Sequence, residues 1–151
     1  MPVIAVVNPK GGSGKSTLAT HLAAHGSHQG LAVMLGDVDR QKSTLVWLRR
    51  RSTESVARRA PITSWVVDPN RVLRPPPGVT HVVLDTPGGL HGHELARTIM
   101  CADAIVMPVC DSAFDRDAAA QALARRAAQH ETLLADGDRA ALVDEVRRRH
   151  Q

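Results

Sequence analysis

Asn8-Pro9-Lys10-Gly11-Gly12-Ser13-Gly14-Lys15-Ser16-Thr17 lies between an apolar run, Val3-Ile4-Ala5-Val6-Val7, and a helix-like segment, Leu18-Ala19-Thr20-His21-Leu22-Ala23-Ala24. Strand, glycine-rich turn and helix start, in that order, is the layout of a phosphate-binding loop. Glycines let backbone N–H groups turn toward one point, and the helix N-terminus adds partial positive charge there. Lys15 adds a full charge, and the Ser16 hydroxyl can hold a Mg²⁺ that rides on the phosphates.

The common form of this loop has a glycine where this chain has Pro9. Instead there is an adjacent pair, Gly11-Gly12, and an extra lysine, Lys10. The string KGGSGKST resembles the deviant Walker A signature of the ParA/MinD family of ATPases, which position plasmids, chromosomes, division sites and other cargo. The resemblance implies ATP and Mg²⁺ as cofactors, held by Gly11, Gly12, Ser13, Gly14, Lys15, Ser16 and Thr17. It also implies an ATP-dependent homodimer. In such a dimer Lys10 reaches the nucleotide of the other subunit, and Gly12 stays small where two loops face each other. Lys10 and Lys15 are then expected in catalysis, a ParB-like stimulating partner is implied, and many relatives bind DNA non-specifically.

The chain has 151 residues, of which 43% are hydrophobic, so one domain spanning 1–151 is expected. A chain of this length buries roughly two-thirds of its unfolded surface. Trp47, Trp65 and Phe114 are the only aromatics, so the core is built from Val, Leu, Ile and Ala, and base-stacking platforms are disfavoured. The formal charge is +4, and the basic residues are lopsided. Lys10, Lys15 and Lys42 are the only lysines, while arginines cluster at 49–51, 58–59, 125–126 and 147–149. Such clusters can track a phosphate backbone, and they are equally what solvated helix faces look like. Cys101 and Cys110 lack a metal-ligand spacing, no basic leader precedes the loop, and no run approaches a membrane-spanning length. A reducing cytoplasm is the expectation, with nucleoid association if DNA is bound, and both thiols are expected to pack as small apolar groups.

Along the chain, apolar runs at 3–7, 31–35, 62–67, 79–84 and 104–109 read as strands. Helical segments are expected at about 16–29, 42–51 and 93–100, and an alanine-rich helix from Asp115 to about Leu134. Asp68-Pro69-Asn70 reads as a turn and Pro75-Pro76-Pro77-Gly78 as a surface loop. The alternation predicts an α/β fold of the P-loop NTPase kind, a mostly parallel sheet with helices on both faces. Ligands of such sheets sit at the carboxyl ends of the strands. The phosphate loop, Asp37/Asp39 and Asp85 each follow a strand there, so three segments bring charge to one edge.

Mg²⁺ prefers oxygen ligands, and phosphoryl transfer to water needs a group that positions the water. Asp85 resembles the family's Walker B aspartate, and DTPGG its second switch, where a backbone amide senses the γ-phosphate. Residues 36–51 resemble the first switch, usually Asp-x-Asp-Pro-Gln, with Arg40 in place of proline. On that resemblance Asp39 is the water-positioning carboxylate, Ser16, Asp39 and Asp85 are the metal-linked groups, and Asp37 supports Asp39. An Asp at a strand end is also a common cap or turn former, and for Asp37 both readings stay open. Residues 108–115, PVCDSAFD, resemble a family segment near the dimer interface, with Asp115 a natural N-cap; no role follows for Cys110 or Asp111.

His21, His25 and His28 share a helical stripe, yet they flank the Leu18/Leu22 face and lack a completing ligand, so zinc is not expected. His91 and His93 read as a solvated loop. The segment Arg139–His150 has too thin an apolar face for a membrane-surface helix. The resemblance covers about 2–130; relatives continue further with strands and an adenine-holding loop, whereas 131–151 read as a helical tail. The expectation is a chain shortened at its C-terminal side. Three functions compete: a partition-type ATPase, a non-enzymatic module that binds DNA or a full-length relative, and, less favoured, a small-molecule kinase.

Overall fold

The computed structural model describes residues 1–39, 41–67, 77–89, 92–112, 116, 117, 119–121 and 124. It divides into two units, Met1–Cys110 and Asp111–Gln151. In the first, β1 (Val3–Val6) leads to α1 (Lys15–His28), then β2 (Val33–Asp37), α2 (Ser43–Ser52), α3 (Val56–Arg59), β3 (Ile62–Val66), β4 (His81–Asp85), α4 (Gly92–Cys101) and β5 (Ala104–Val106). The strands form one sheet in the order β3-β2-β4-β1-β5, and every pairing is parallel. This is the α/β architecture that the alternation predicts.

Side chains alternate across each strand, so two cores form on opposite faces. Val3, Ala5, Val82, Leu84 and Met34 build one with Cys101 at the end of α4. Val6, Val83, Val33 and Leu35 build the other with Ala19 and Ala23 of α1 and Leu45 and Leu48 of α2. Small alanines on α1 let that helix lie close to the sheet. Leu35 and Leu84 are fully buried, and each such side chain contributes about 1.5–3 kcal/mol. β4 is central in the order, flanked by β2 and β1, and β2 is buried at every position, so the loops at the carboxyl ends of these three strands start from an enclosed base.

Element ends differ from the sequence pattern for local reasons. Leu31 belongs to the helix cap, because its N–H donates to the Gly26 carbonyl at 3.1 Å, so β2 starts at Val33. β5 ends at Val106 although the apolar run reaches Val109; Pro108 has no N–H to continue a ladder. The turn α3 lay in no apolar pattern. The expected turn at 68–70, Pro75 and Pro76, Arg40 and His91 lie outside the described residues, as do 125–151 with their two arginine clusters and tail. In the second unit, Arg116 donates to Asp111 at 2.6 Å and its N–H to the Ser112 carbonyl; Asp115 and most of the alanine-rich segment fall outside the description.

Two surface expectations are corrected. Cys110 is exposed, and only Cys101 packs inside. Arg51, read as part of a surface cluster, is buried. Its Nη2 donates to the Ala60 carbonyl at 2.7 Å, and its guanidinium lies 5.7 Å from the Trp47 ring centroid. It ties the end of α2 to the end of α3. Arg49, Arg50, Arg58 and Arg59 remain exposed. No helix among the described residues is long and apolar enough to cross a membrane.

Removing Arg51 strands a buried carbonyl, since Ala60 is 1% exposed. Arg51→Ala should therefore lower stability to urea by about 1–3 kcal/mol, and Arg50→Ala by less than about 0.5 kcal/mol. Equal effects in the two variants would remove the strut role.

Candidate functional site

β2, β4 and β1 are neighbours in the sheet, and each hands its carboxyl end to one segment of the site. After β1, the chain turns through Gly12 (φ 71°) and Gly14 (φ 83°) into α1. Both angles are in the left-handed region that glycine reaches without strain, so the chain can turn tightly before the helix begins. Gly14 is the cap residue, and Leu18 N–H donates to its carbonyl at 2.9 Å. The first peptides of α1 thus face the loop's concavity.

Lys15 is 7% exposed. Its Nζ donates to the Lys10 carbonyl at 2.9 Å and lies 3.4 Å from Ser13 Oγ, which itself donates to the same carbonyl at 3.1 Å. Burial lowers the Lys15 pKa, and the charges of Asp85 and Asp39 oppose that shift. The ammonium is therefore held inside the loop by the loop's own backbone, and the charges of Asp85, at the end of β4, and of Asp39, beyond the end of β2, favour it.

Asp85 ends β4, in register with Val6 on one side and Asp37 on the other. It is fully buried, and neither carboxylate oxygen has a hydrogen-bond partner among the described residues. Its pKa is pushed up to about 6, first by burial, then by the charges of Asp37 and Asp39, while Ser16 and Lys15 pull it down. Ser16 is close enough to favour the charge, yet its hydroxyl does not complete a bond of full geometry. A buried anion left in this state is costly.

Asp37 is also fully buried, but satisfied. Oδ2 accepts from Thr44 Oγ1 at 2.7 Å and from Leu45 N–H at 3.3 Å, and Oδ1 accepts the Asp39 N–H at 3.0 Å. These are a turn former's bond to the Asp39 peptide and two bonds to the first turn of α2. Asp39 is half-buried and its Oδ1 accepts the Gln41 N–H at 2.9 Å. Lys42, next in the turn, takes a left-handed φ of 52° before α2 starts.

A cleft of about 570 Å³ joins these parts; Gly11, Gly12, Ser13, Gly14, Lys15, Ser16, Thr17 and Asp39 line it, with Pro9, Gln41, Ser43 and residues 87–89. Lys10 is exposed and Asp85 is buried; neither is among the lining residues. The turn after β4 presses on the loop. Gly89 N–H donates to the Pro9 carbonyl at 2.8 Å, and a Cβ on Gly88 would come within 3.1 Å of Gly11 Cα. His21, His25 and His28 are exposed on α1. No group of three or more His, Cys, Asp or Glu among the described residues is placed to hold a metal.

The donor set fits a Mg²⁺ that arrives on phosphates. Such an ion uses one or two carboxylates and keeps waters, and Asp85 supplies buried oxygens without partners beside a hydroxyl, Ser16. Sequence reasoning passed over three positions here: Gln41 and Ser43 on the rim, and Asn8 beneath the loop. The spacing of an Asn two residues before Lys10, at a strand end, is a turn signal that could have flagged Asn8.

Residues 4–143 match the family model described as the CobQ/CobB/MinD/ParA nucleotide binding domain. The chain is similar to Protein ParA of Rhizobium radiobacter, 28% identical over 134 residues, covering 88% of this chain and 60% of that protein. It is similar also to the Maintenance of carboxysome distribution protein A of Gloeobacter kilaueensis, 36% identical over 115 residues, covering 75% of this chain and 51% of that protein. The chain thus spans between about half and three-fifths of the length of these relatives.

The raised pKa of Asp85 sets a pH dependence. In the unfolded chain the carboxyl loses its proton near pH 4, and in the folded chain near pH 6. Folding therefore favours the protonated form, and that contribution is lost as pH rises through about 6. Asp85→Asn, neutral at every pH, should stabilise the nucleotide-free protein by about 1–3 kcal/mol at pH 8, with the gain shrinking toward pH 5. Urea melts of both proteins at pH 5 and pH 8 read this out; a variant no more stable at pH 8 would contradict it.

Proposed function

The chain belongs to the CobQ/CobB/MinD/ParA nucleotide-binding family, and from that premise we propose that it binds and hydrolyses ATP to position cargo through a nucleotide-sandwich dimer. The observation that carries this reading is the convergence of Lys15, Asp39 and the unbonded Asp85 at the carboxyl ends of three adjacent strands. A loop of backbone N–H groups and a buried ammonium suits phosphates. Two carboxylates beside it would repel a bare triphosphate, so they suit one that carries a divalent cation.

Each residue then has a task. Lys15 exchanges the Lys10 carbonyl for phosphate oxygens, moving its amine within the loop that already holds it. The N–H groups of Gly11 through Thr17 cradle the phosphates. Ser16 and Asp85 are the groups that would hold Mg²⁺, Asp85 directly or through a water, and Asp39 joins them from the rim. The ion, when bound, neutralises charge that builds on the phosphates during transfer to water. Asp39 orients the attacking water, its position fixed through its backbone by Asp37. Lys10, exposed at the loop's outer turn, contacts nucleotide bound by a second copy. Gly89, tied to the Pro9 carbonyl, lies where its turn responds to phosphate.

The similarity to a carboxysome distribution protein supports positioning as the class of work, with plasmid or chromosome segregation as the role favoured here. A ParB-like partner that stimulates hydrolysis and a cytoplasmic, nucleoid-associated location belong to the same reading. A second reading, a module that acts through its basic surface with little or no turnover, is favoured by one observation. Arg49, Arg50, Arg58 and Arg59 are exposed on α2 and α3, and none forms an ion pair with a described residue. Non-specific DNA contact fits that surface in either reading.

ATP turnover separates the two. The proposal expects slow hydrolysis that falls at least about tenfold, some 1.4 kcal/mol in the barrier, in Lys15→Ala and Asp39→Ala. It expects ATP-driven dimerisation, seen by light scattering, that is lost in Lys10→Ala. Unchanged turnover in both catalytic variants would reject it. DNA retention should weaken steeply with salt, and Arg58→Glu should weaken it at any salt; salt-insensitive retention would remove the phosphate-backbone contact.

A further inference from the structure

Asn8, just after β1, is 9% exposed and uses both ends of its amide. Oδ1 accepts the Lys10 N–H at 2.7 Å, and Nδ2 donates to the Pro108 carbonyl at 2.6 Å, one hundred positions along the chain. The amide has one workable orientation, because a flip would set like groups against each other at both ends. We propose that Asn8 is a positioning residue for the phosphate loop, fastening the loop's first turn to the end of β5 and so presetting the Lys10 peptide that holds Lys15. This rests on the nucleotide-binding reading above.

The first bond alone has an ordinary explanation. An Asn whose side chain accepts from the N–H two residues on is a common turn former, and Ser does the same. The second bond is what a turn former does not need. The last backbone bond between β1 and β5 runs from Val7 N–H to the Val106 carbonyl at 3.0 Å. Beyond it the pairing is handed to a side chain, with the Asn8 amide donating to Pro108 where the strand itself stops. The chain of contacts then runs from Pro108 through Asn8 to the Lys10 N–H. From the Lys10 carbonyl it reaches Lys15 Nζ and Ser13 Oγ. A loop rich in glycine loses much freedom on closing around a ligand. An anchor on a second strand removes part of that freedom beforehand, so its loss appears as weaker nucleotide binding more than as slower chemistry.

The experiment uses the full chain and three variants. Asn8→Ser keeps a hydroxyl for the Lys10 N–H but is too short for Pro108. Pro108→Gly keeps Asn8 and loosens its acceptor from the other side. Ser27→Ala removes a comparable buried bond, Ser27 Oγ to the Pro61 carbonyl at 2.7 Å, far from the loop. Mg²⁺-ATP is titrated calorimetrically against each, melting temperatures are recorded, and KM and kcat are measured. The expected result is an affinity loss of about tenfold in Asn8→Ser, with KM raised and kcat within about twofold. Pro108→Gly should shift in the same direction and Ser27→Ala should lose melting temperature only. Wild-type affinity in Asn8→Ser would overturn the proposal, as would the same affinity loss in Ser27→Ala. If wild type itself bound no Mg²⁺-ATP, the functional reading would fail first; binding in wild type and equally in Asn8→Ser would fail this inference alone.

Discussion

A carboxylate buried without a hydrogen bond needs a partner, and the site is arranged around supplying one to Asp85. Its place is imposed by the sheet: β4 lies between β2 and β1, so its last residue falls between the phosphate loop and the turn that carries Asp39. Water cannot reach it, and Asp37 in register beside it adds repulsion. Lys15 is the nearby cation that offsets the charge, and Lys15 is itself desolvated. Each group is tolerated because of the other. Asp85 keeps no hydrogen bond of its own, which is what a site needs if a metal-bound anion is to improve the balance when it binds.

The rest of the local structure serves to hold that arrangement. Asp37 uses both oxygens on α2 and on the Asp39 peptide, so a carboxylate one strand away from Asp85 is fixed as scaffold. Thr86, directly after Asp85, donates to the Val6 carbonyl at 2.7 Å, and Val38 N–H donates to the Asp85 carbonyl at 3.0 Å. These bonds pin the three strand ends against one another. Lys10 and the Gly88-Gly89 turn are the exposed parts of this arrangement.

Much of this was legible in the residues. The Lys10–Thr17 string between an apolar run and an alanine-rich helix specifies strand, loop and helix through local chemistry alone. Asp39 and Asp85 could be placed because each ends an apolar run, and parallel sheets gather such ends on one edge. What the pattern could not give was side-chain partnership across long separations. Arg51 looks like its neighbours Arg49 and Arg50 until α3 returns the Ala60 carbonyl to it. Asn8 looks like the start of a turn until β5 brings Pro108 alongside. Asp37 and Asp85 end equivalent runs, and only the packing of α2 decides that one is bonded and the other is not. Strand ends moved for similar reasons, Leu31 being taken by the helix cap and Pro108 having no N–H to offer.

In the proposed function, Lys15 and its loop form the seat for a magnesium-bound adenine nucleotide. Calorimetric titration of Mg²⁺-ATP, with Mg²⁺-GTP for comparison, into wild type and Lys15→Ala at neutral pH tests it most directly. Saturable binding near one nucleotide per chain, dependent on Mg²⁺ and weakened at least about tenfold in the variant, is the predicted result. Equal binding by the two proteins, or no binding by wild type, would contradict it.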